Sequence, residues 1–346
     1  MAFGRYNLQR YAALKSIGSV VKQSLMPLLC GTLPVAAWHK LVAVNLVIPH
    51  WHIISDEMRP HVSGLYKYRN VKQFMADIEF FLKFYEPVCL GDIMSYLDCR
   101  KELPKRCFLP TFDDGFREIY EVVAPILYSK GISGAFFLTS ATIDNQELCY
   151  PQKKGLIISR ITALNSRTVE KAVRKVLDDF FISGENLLSR VRNIYYSQRG
   201  VLEHLGAILD CDFGEYLHTV KPYLSGEQVR SLLRRGFGIG AHSIDHPLYS
   251  ELNIEEQVFQ TVESVKRLSE MFEYACESFA FPYGDSDISD ELFQNVFAHK
   301  QVKVSFGLGS IVRSKFCRNL PRFSMERTDI PARHILGRQF GRALLR

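Results

Sequence analysis

The chain has 346 residues, 47% hydrophobic and 23% charged, proportions of an ordinary globular protein that exclude a disordered, collagen-like or coiled-coil chain. Forty-three Lys and Arg against 37 Asp and Glu give a net charge of +6, spread along the sequence with no nucleic-acid motif beside it, so no nucleic-acid partner is expected. The eight cysteines form no CxxC pair, the chain is too long for a disulfide scaffold, and cysteines scattered in this way favour a reducing compartment.

The first 45 residues carry Arg5, Arg10, Lys15 and Lys22 ahead of an apolar patch from Leu25 to Ala37, interrupted by Cys30, Gly31, Thr32 and Pro34. The patch is too short and broken to span a membrane, and the charged stretch is too long for a secretory signal. The segment reads as a helix packed on the domain, with peripheral contact between its basic residues and a membrane surface as the alternative. A cytoplasmic location, or a peripheral one at the inner membrane face, is the expectation. His50, His52 and His61 follow before the first long helix and read as structural histidines, with His52 also placed to support a site. Trp38 and Trp51 read as core packing, with a sugar stacked on Trp51 as the alternative.

"RCFLPTF" (Arg106–Phe112) is an apolar strand that stops at Asp113 and Asp114. Adjacent carboxylates disfavour each other's ionisation, so something must compensate, and a metal ion is the obvious candidate. A helix is expected next, from the spacing of Ile119, Val122, Val123 and Ile126, ending at Gly131. "SGAFFLTS" (Ser133–Ser140) is the following strand. From 143 to 224 the strand signal fades and helical stripes take over, such as Val169, Val173, Val176, Leu177 and Phe180. This stretch reads as a helical insertion, expected to cover one side of the barrel mouth.

The βα rhythm then resumes. Ser225 and Gln228 stand in capping-box spacing before a helix that closes at Gly236, and "FGIGAHS" (Phe237–Ser243) is a strand. Asn253 and Glu256 open another helix with the stripe Val258, Val262, Val265 and Leu268. "SFAFPYG", "QVKVSFGLG" and "LPRFSM" supply three more strand-like runs. Strands alternating with helices predict a parallel sheet, and five or more such units favour a (β/α) barrel, with reactive groups at the C-terminal rim. The expected organisation is an N-terminal segment, 1–45; a catalytic barrel, 46–142 and 225–340; and the insertion, 143–224.

His242 and His246 stand four apart just beyond a strand, and their imidazoles converge if the loop opens a helical turn. Two histidines and one carboxylate, with further positions open to water, make a recurring catalytic metal centre. Strand–TFDDG (Thr111–Gly115), strand–HSIDH (His242–His246) and strand–FPYG (Phe281–Gly284), in this order, resemble the polysaccharide deacetylase family, the NodB-homology or carbohydrate esterase family 4 enzymes. The resemblance covers about Val47 to Met325 apart from the insertion.

It implies a distorted (β/α) barrel of the NodB-homology type and a metal-dependent hydrolase that removes acetyl groups from N-acetylated sugars of a polysaccharide or glycan precursor. By the same resemblance Asp114, His242 and His246 hold a divalent metal, most simply Zn2+, with Co2+, Ni2+ or Mn2+ as alternatives. Asp113 is the implied general base toward the metal-activated water, and the backbone N–H of Tyr283 an oxyanion donor. Two departures stand out. The third motif lacks the Arg that orients the catalytic Asp in the family, and Arg322 is the candidate substitute. The family's late Leu-x-x-x-His motif has no good copy; His299 and His334 are the late histidines, and neither is assigned as the acid. A metal-dependent amidase acting on a non-carbohydrate amide, and a non-catalytic glycan-binding member, are the competing readings.

Overall fold

The computed structural model describes residues 33–312 and 314–345. The basic stretch up to Lys22, with its expected membrane contact, lies outside them. Strands are short and appear in this order: β1 (Leu46–Val47), β2 (Pro49–Trp51), β3 (Glu86–Pro87), β4 (Cys107–Phe108), β5 (Thr111–Phe112) and β6 (Ala135–Leu138). After the helical region come β7 (Gly238–Ala241), β8 (Ser278–Ala280), β9 (Val304–Phe306), β10 (Asn319–Leu320) and β11 (Phe323–Ser324).

Eight of them form one parallel sheet in the order β10-β9-β8-β7-β6-β5-β2-β11. Its two edge strands, β10 and β11, are separated in the chain by Pro321 and Arg322 alone. A sheet whose opposite edges are joined by two residues must curl on itself, and this gives the distorted barrel that the βα pattern predicts. Strands β6 and β7 are buried along their whole length, as expected for parallel strands covered on both faces. β1, β3 and β4 form a second small parallel sheet.

Arg106–Phe112, expected as one strand, is two. Pro110 has no N–H to give a ladder, so the chain leaves the small sheet after Phe108 and enters the barrel at Thr111. The helix after the Asp pair also departs from the regular pattern. It begins as a wide π-helical turn, Ile119–Val123, before Ala124–Ser129. Pro125 lacks the N–H that a regular helix would direct at the Glu121 carbonyl. The capping boxes at Ser225 and Asn253 form as expected, opening Gly226–Arg234 and Ile254–Phe272.

Between β6 and β7 the described chain makes helices Tyr150–Thr162, Arg167–Asp179, Leu187–Arg192, Val201–Ile208 and Phe213–Val220. Their apolar faces share a core built on Val173, Leu177, Val191 and Leu205, which also takes in Ile53, Val62 and Phe116 from the barrel side. Trp51 is fully buried and stacks on Phe112, with ring centroids 5.3 Å apart, so it cannot offer a face to a sugar. Trp38 stacks on Phe340 of the last helix, Ala332–Leu344. Among the described residues no helix is long and apolar enough to cross a membrane.

Candidate active site and metal centre

β5 delivers Asp113 and Asp114 to the C-terminal rim of the barrel, where the backbone turns sharply. Asp114 and Gly115 both take positive φ, 70° and 74°, a region that costs an L-residue free energy and recurs at functional sites. A Cβ at Gly115 would stand 3.2 Å from the Leu138 side chain. The twist sends the adjacent carboxylates to different partners, which answers the repulsion that the sequence poses.

Asp113 faces Arg322. Its Oδ1 and Oδ2 each accept a guanidinium hydrogen bond of 2.7 Å, from Nη1 and Nη2, while Arg322 Nε donates to the Gly307 carbonyl at 3.0 Å. Both side chains are buried. His50 Nε2 lies 3.0 Å from Asp113 Oδ2. Burial works against the charged carboxylate, but Arg322, then His50 and His242, outweigh it and hold Asp113 well below the usual carboxylate range. Arg322 reaches this point from the two-residue link between β10 and β11, across the closure of the barrel.

Asp114 faces the histidines. Its Oδ1 is 3.5 Å from His242 Nε2 and 3.2 Å from His246 Nε2, and the three donor atoms lie within 4.8 Å of one another. His242 Nδ1 sits 2.8 Å from the Ala280 carbonyl. That contact fixes Nδ1 as the protonated nitrogen and leaves the Nε2 lone pair aimed at the site. Burial pulls His242 down to about 4, so it is neutral, as a ligand must be. The loop is not a helical turn: Ser243 and His246 take positive φ, 67° and 64°, and His246 N–H donates to Ser243 Oγ at 3.0 Å. The imidazoles converge through left-handed residues instead.

Asp114 Oδ1 is buried and accepts no hydrogen bond. An orphaned carboxylate oxygen facing two imidazole nitrogens fits a divalent cation of borderline character. Opposing burial, His246, then His52 and His242, hold Asp114 below the usual carboxylate range.

A cavity of about 390 Å³ opens over these groups. His52 lines it. Its Nδ1 lies 2.7 Å from Glu326 Oε1, which also accepts the His52 backbone N–H at 3.1 Å. Its ring stacks on Tyr66, with centroids 4.7 Å apart. Although burial opposes the charge, Glu326, then Asp114 and Asp113, raise His52 to about 9. His50, His52 and Asp113 each place a donor atom within 4.8 Å of the others. Tyr283, in the Pro-Tyr-Gly turn at φ 60°, also lines it, and its hydroxyl is 3.0 Å from that of Tyr150. No hydrogen bond occupies the Tyr283 backbone N–H among the described residues.

The helical region supplies the third wall, with Gln152, Lys154 and Arg192. Gln152 Nε2 is 3.4 Å from Asp114 Oδ2. Burial lowers Lys154 to about 8, Glu251 opposing from beyond pairing distance. Nothing in the spacing of these three residues singles them out in the sequence. His52 and Glu326 meet across 274 positions, so their pairing is equally invisible there. His299 and His334 are not among the residues lining the cavity. His61 is held by Tyr216, with Nδ1 2.8 Å from the hydroxyl.

The family model described as polysaccharide deacetylase matches residues 100–301, more than half of the chain and all three strand-end motifs. The chain therefore belongs to the polysaccharide deacetylase family of hydrolases. A Streptococcus pyogenes deacetylase, PplD, solved with acetate, is similar in fold: TM-score 0.57, 13% identity, covering 86% of this chain and 99% of that one. IcaB from Ammonifex degensii gives 0.54 and 14%, covering 85% and 97%. A de-N-acetylase from Aggregatibacter actinomycetemcomitans gives 0.50 and 15%, covering 80% and 94%. No curated protein sequence matches the chain.

Proposed function

We propose that this enzyme removes the acetyl group from an N-acetylated sugar of a glycan or glycan precursor, with a divalent cation held by Asp114, His242 and His246. Such a cation supplies Lewis acidity, which lowers the pKa of a bound water toward ~7 and polarises the amide carbonyl. The observation that carries the reading is the division of labour within the Asp pair: one carboxylate held by Arg322, the other left with an unpartnered oxygen facing two histidines.

Asp113 is the base. Arg322 keeps it ionised and fixes its plane, so it is a weak base held in one orientation. A weak base suffices when the water beside it is acidic. The Tyr283 N–H is free to donate to the oxyanion as the carbonyl is attacked. His52 is the proton donor to the departing amine. It lines the cavity, lies beside Asp113, and Glu326 keeps it protonated at neutral pH. Its role fills the place for which neither late histidine qualified.

The two aspartates can be separated by experiment. Asp113→Asn should abolish acetate release while the folded protein keeps its bound metal, measured by elemental analysis. Asp114→Asn should lose the metal as well. Equal metal loss in both variants would overturn the assignment of roles.

A further inference from the structure

The chemistry proposed above needs a base, a cation site and a proton donor, yet the cavity holds two further cations that this chemistry does not use. Lys154 and Arg192 both line it, and both come from the helical region between β6 and β7. Lys154 is only 8% exposed, and its ammonium donates to the carbonyls of Arg192 and Ile194, at 3.2 Å each. Arg192 donates through Nε to the Gly64 carbonyl at 2.8 Å. All three acceptors are neutral. Among the described residues no carboxylate lies within ion-pair distance of either side chain.

Burying an ammonium with no counter-charge is costly, and the cost falls when an anion arrives with the ligand. The carboxylates already in the cavity are committed, Asp113 to Arg322 and Asp114 to the histidines. Arg322 balances Asp113 and Glu326 balances protonated His52, so with a divalent cation bound at Asp114 the unpaired charges of Lys154 and Arg192 leave the cavity net positive. The position is also close to the reacting centre. The helix that carries Lys154 brings Gln152 to 3.4 Å from Asp114, and the Lys154 ammonium sits 4.6 Å from the centre of the Tyr150 ring, whose hydroxyl meets Tyr283.

We propose that the substrate is an anionic N-acetyl sugar whose phosphoryl or carboxylate group is held by Lys154 and Arg192 beside the reacting acetamide. The acetamide half of this statement rests on the deacetylase reading; the anion half does not.

The test is calorimetric binding of three probes to the zinc-loaded full chain: N-acetylglucosamine, its 1-phosphate, and N-acetylmuramic acid. At least one anionic sugar should bind about tenfold or more tightly than the neutral one, and which of the two does so identifies the anion as phosphoryl or carboxylate. Added salt should narrow the gap. Arg192→Gln, an exposed change, should narrow it at least about threefold. Lys154→Met should narrow it further, and Lys154→Arg should restore part of it. Equal binding of all three sugars, or no binding of any, overturns the proposal. So does a gap that persists in the variants, because the anion would then sit on the metal. Acetate release in the same samples separates the two readings. An anionic preference without acetate from any probe would sink the deacetylase reading and leave the anion site standing. Acetate with no preference would do the reverse.

Discussion

At the residue scale, the Asp113–Arg322 pair decides the most. Both partners are buried and bidentate, and removing one leaves the other as an uncompensated buried charge. Arg322→Met should cost about 3–5 kcal/mol of stability and lower kcat by about 100-fold or more, since Asp113, the proposed base, loses its orientation. Chemical denaturation and steady-state kinetics check both. Arg322→Lys should recover only part of either loss, because an ammonium cannot reproduce the fork. His52 gives a pH prediction. Its folded-state value, about 9, lies above the ~6.5 of an unfolded chain, so the folded protein binds this proton more tightly. The resulting stabilisation is complete below pH ~6.5 and is lost as pH rises through about 9. Glu326→Gln should flatten that slope between pH 6.5 and 9 in denaturation of the metal-free protein; an unchanged slope would contradict the pairing. Asp113, Asp114, His242 and His246 are legible in the sequence because each falls at a strand end in a recognisable motif. Arg322 is legible only as the answer to a missing arginine. His52 reads there as structural, with support of a site as the alternative, because its partner lies at the far end of the chain.

At the element scale, the helix Tyr150–Thr162 sets the third wall of the site. It lies against the 3-10 turn Pro60–Val62 so closely that a Cβ at Gly155 would clash with the His61 carbonyl oxygen. Gly155→Ala must push the helix away, carrying Gln152 and Lys154 with it. We expect a loss of about 1–3 kcal/mol in stability and a rise in KM larger than the fall in kcat. Unchanged KM with lowered stability would show that the wall does not touch substrate. The helices that were legible have local chemistry at their ends: the boxes at Ser225 and Asn253 use residues three apart. Strands of two or three residues have no such signal, and Pro110 is what splits Arg106–Phe112 between two sheets. The HSIDH loop misleads for the same reason. Four-residue spacing suggests a helical turn, while Ser243 and His246 reach convergence through positive φ.

At the scale of the whole molecule, the barrel and the site are one construction. The curled sheet brings β10 and β11 to a seam that two residues close, and one of those two is the arginine on the Asp113 carboxylate. The βα alternation predicts the barrel, but not the closure, which depends on register across strands remote in sequence. The helical region is bound into the same body through Ile53, Val62 and Phe116 and lends Lys154 and Arg192 to the cavity. Metal-dependent deacetylation is decided by acetate release from N-acetylated sugars, neutral and anionic, by protein stripped of metal and then reloaded with zinc. The stripped protein should release none, and reloading should restore release. Release that is unaffected by stripping, or its absence from protein shown to hold one zinc, would contradict this expectation.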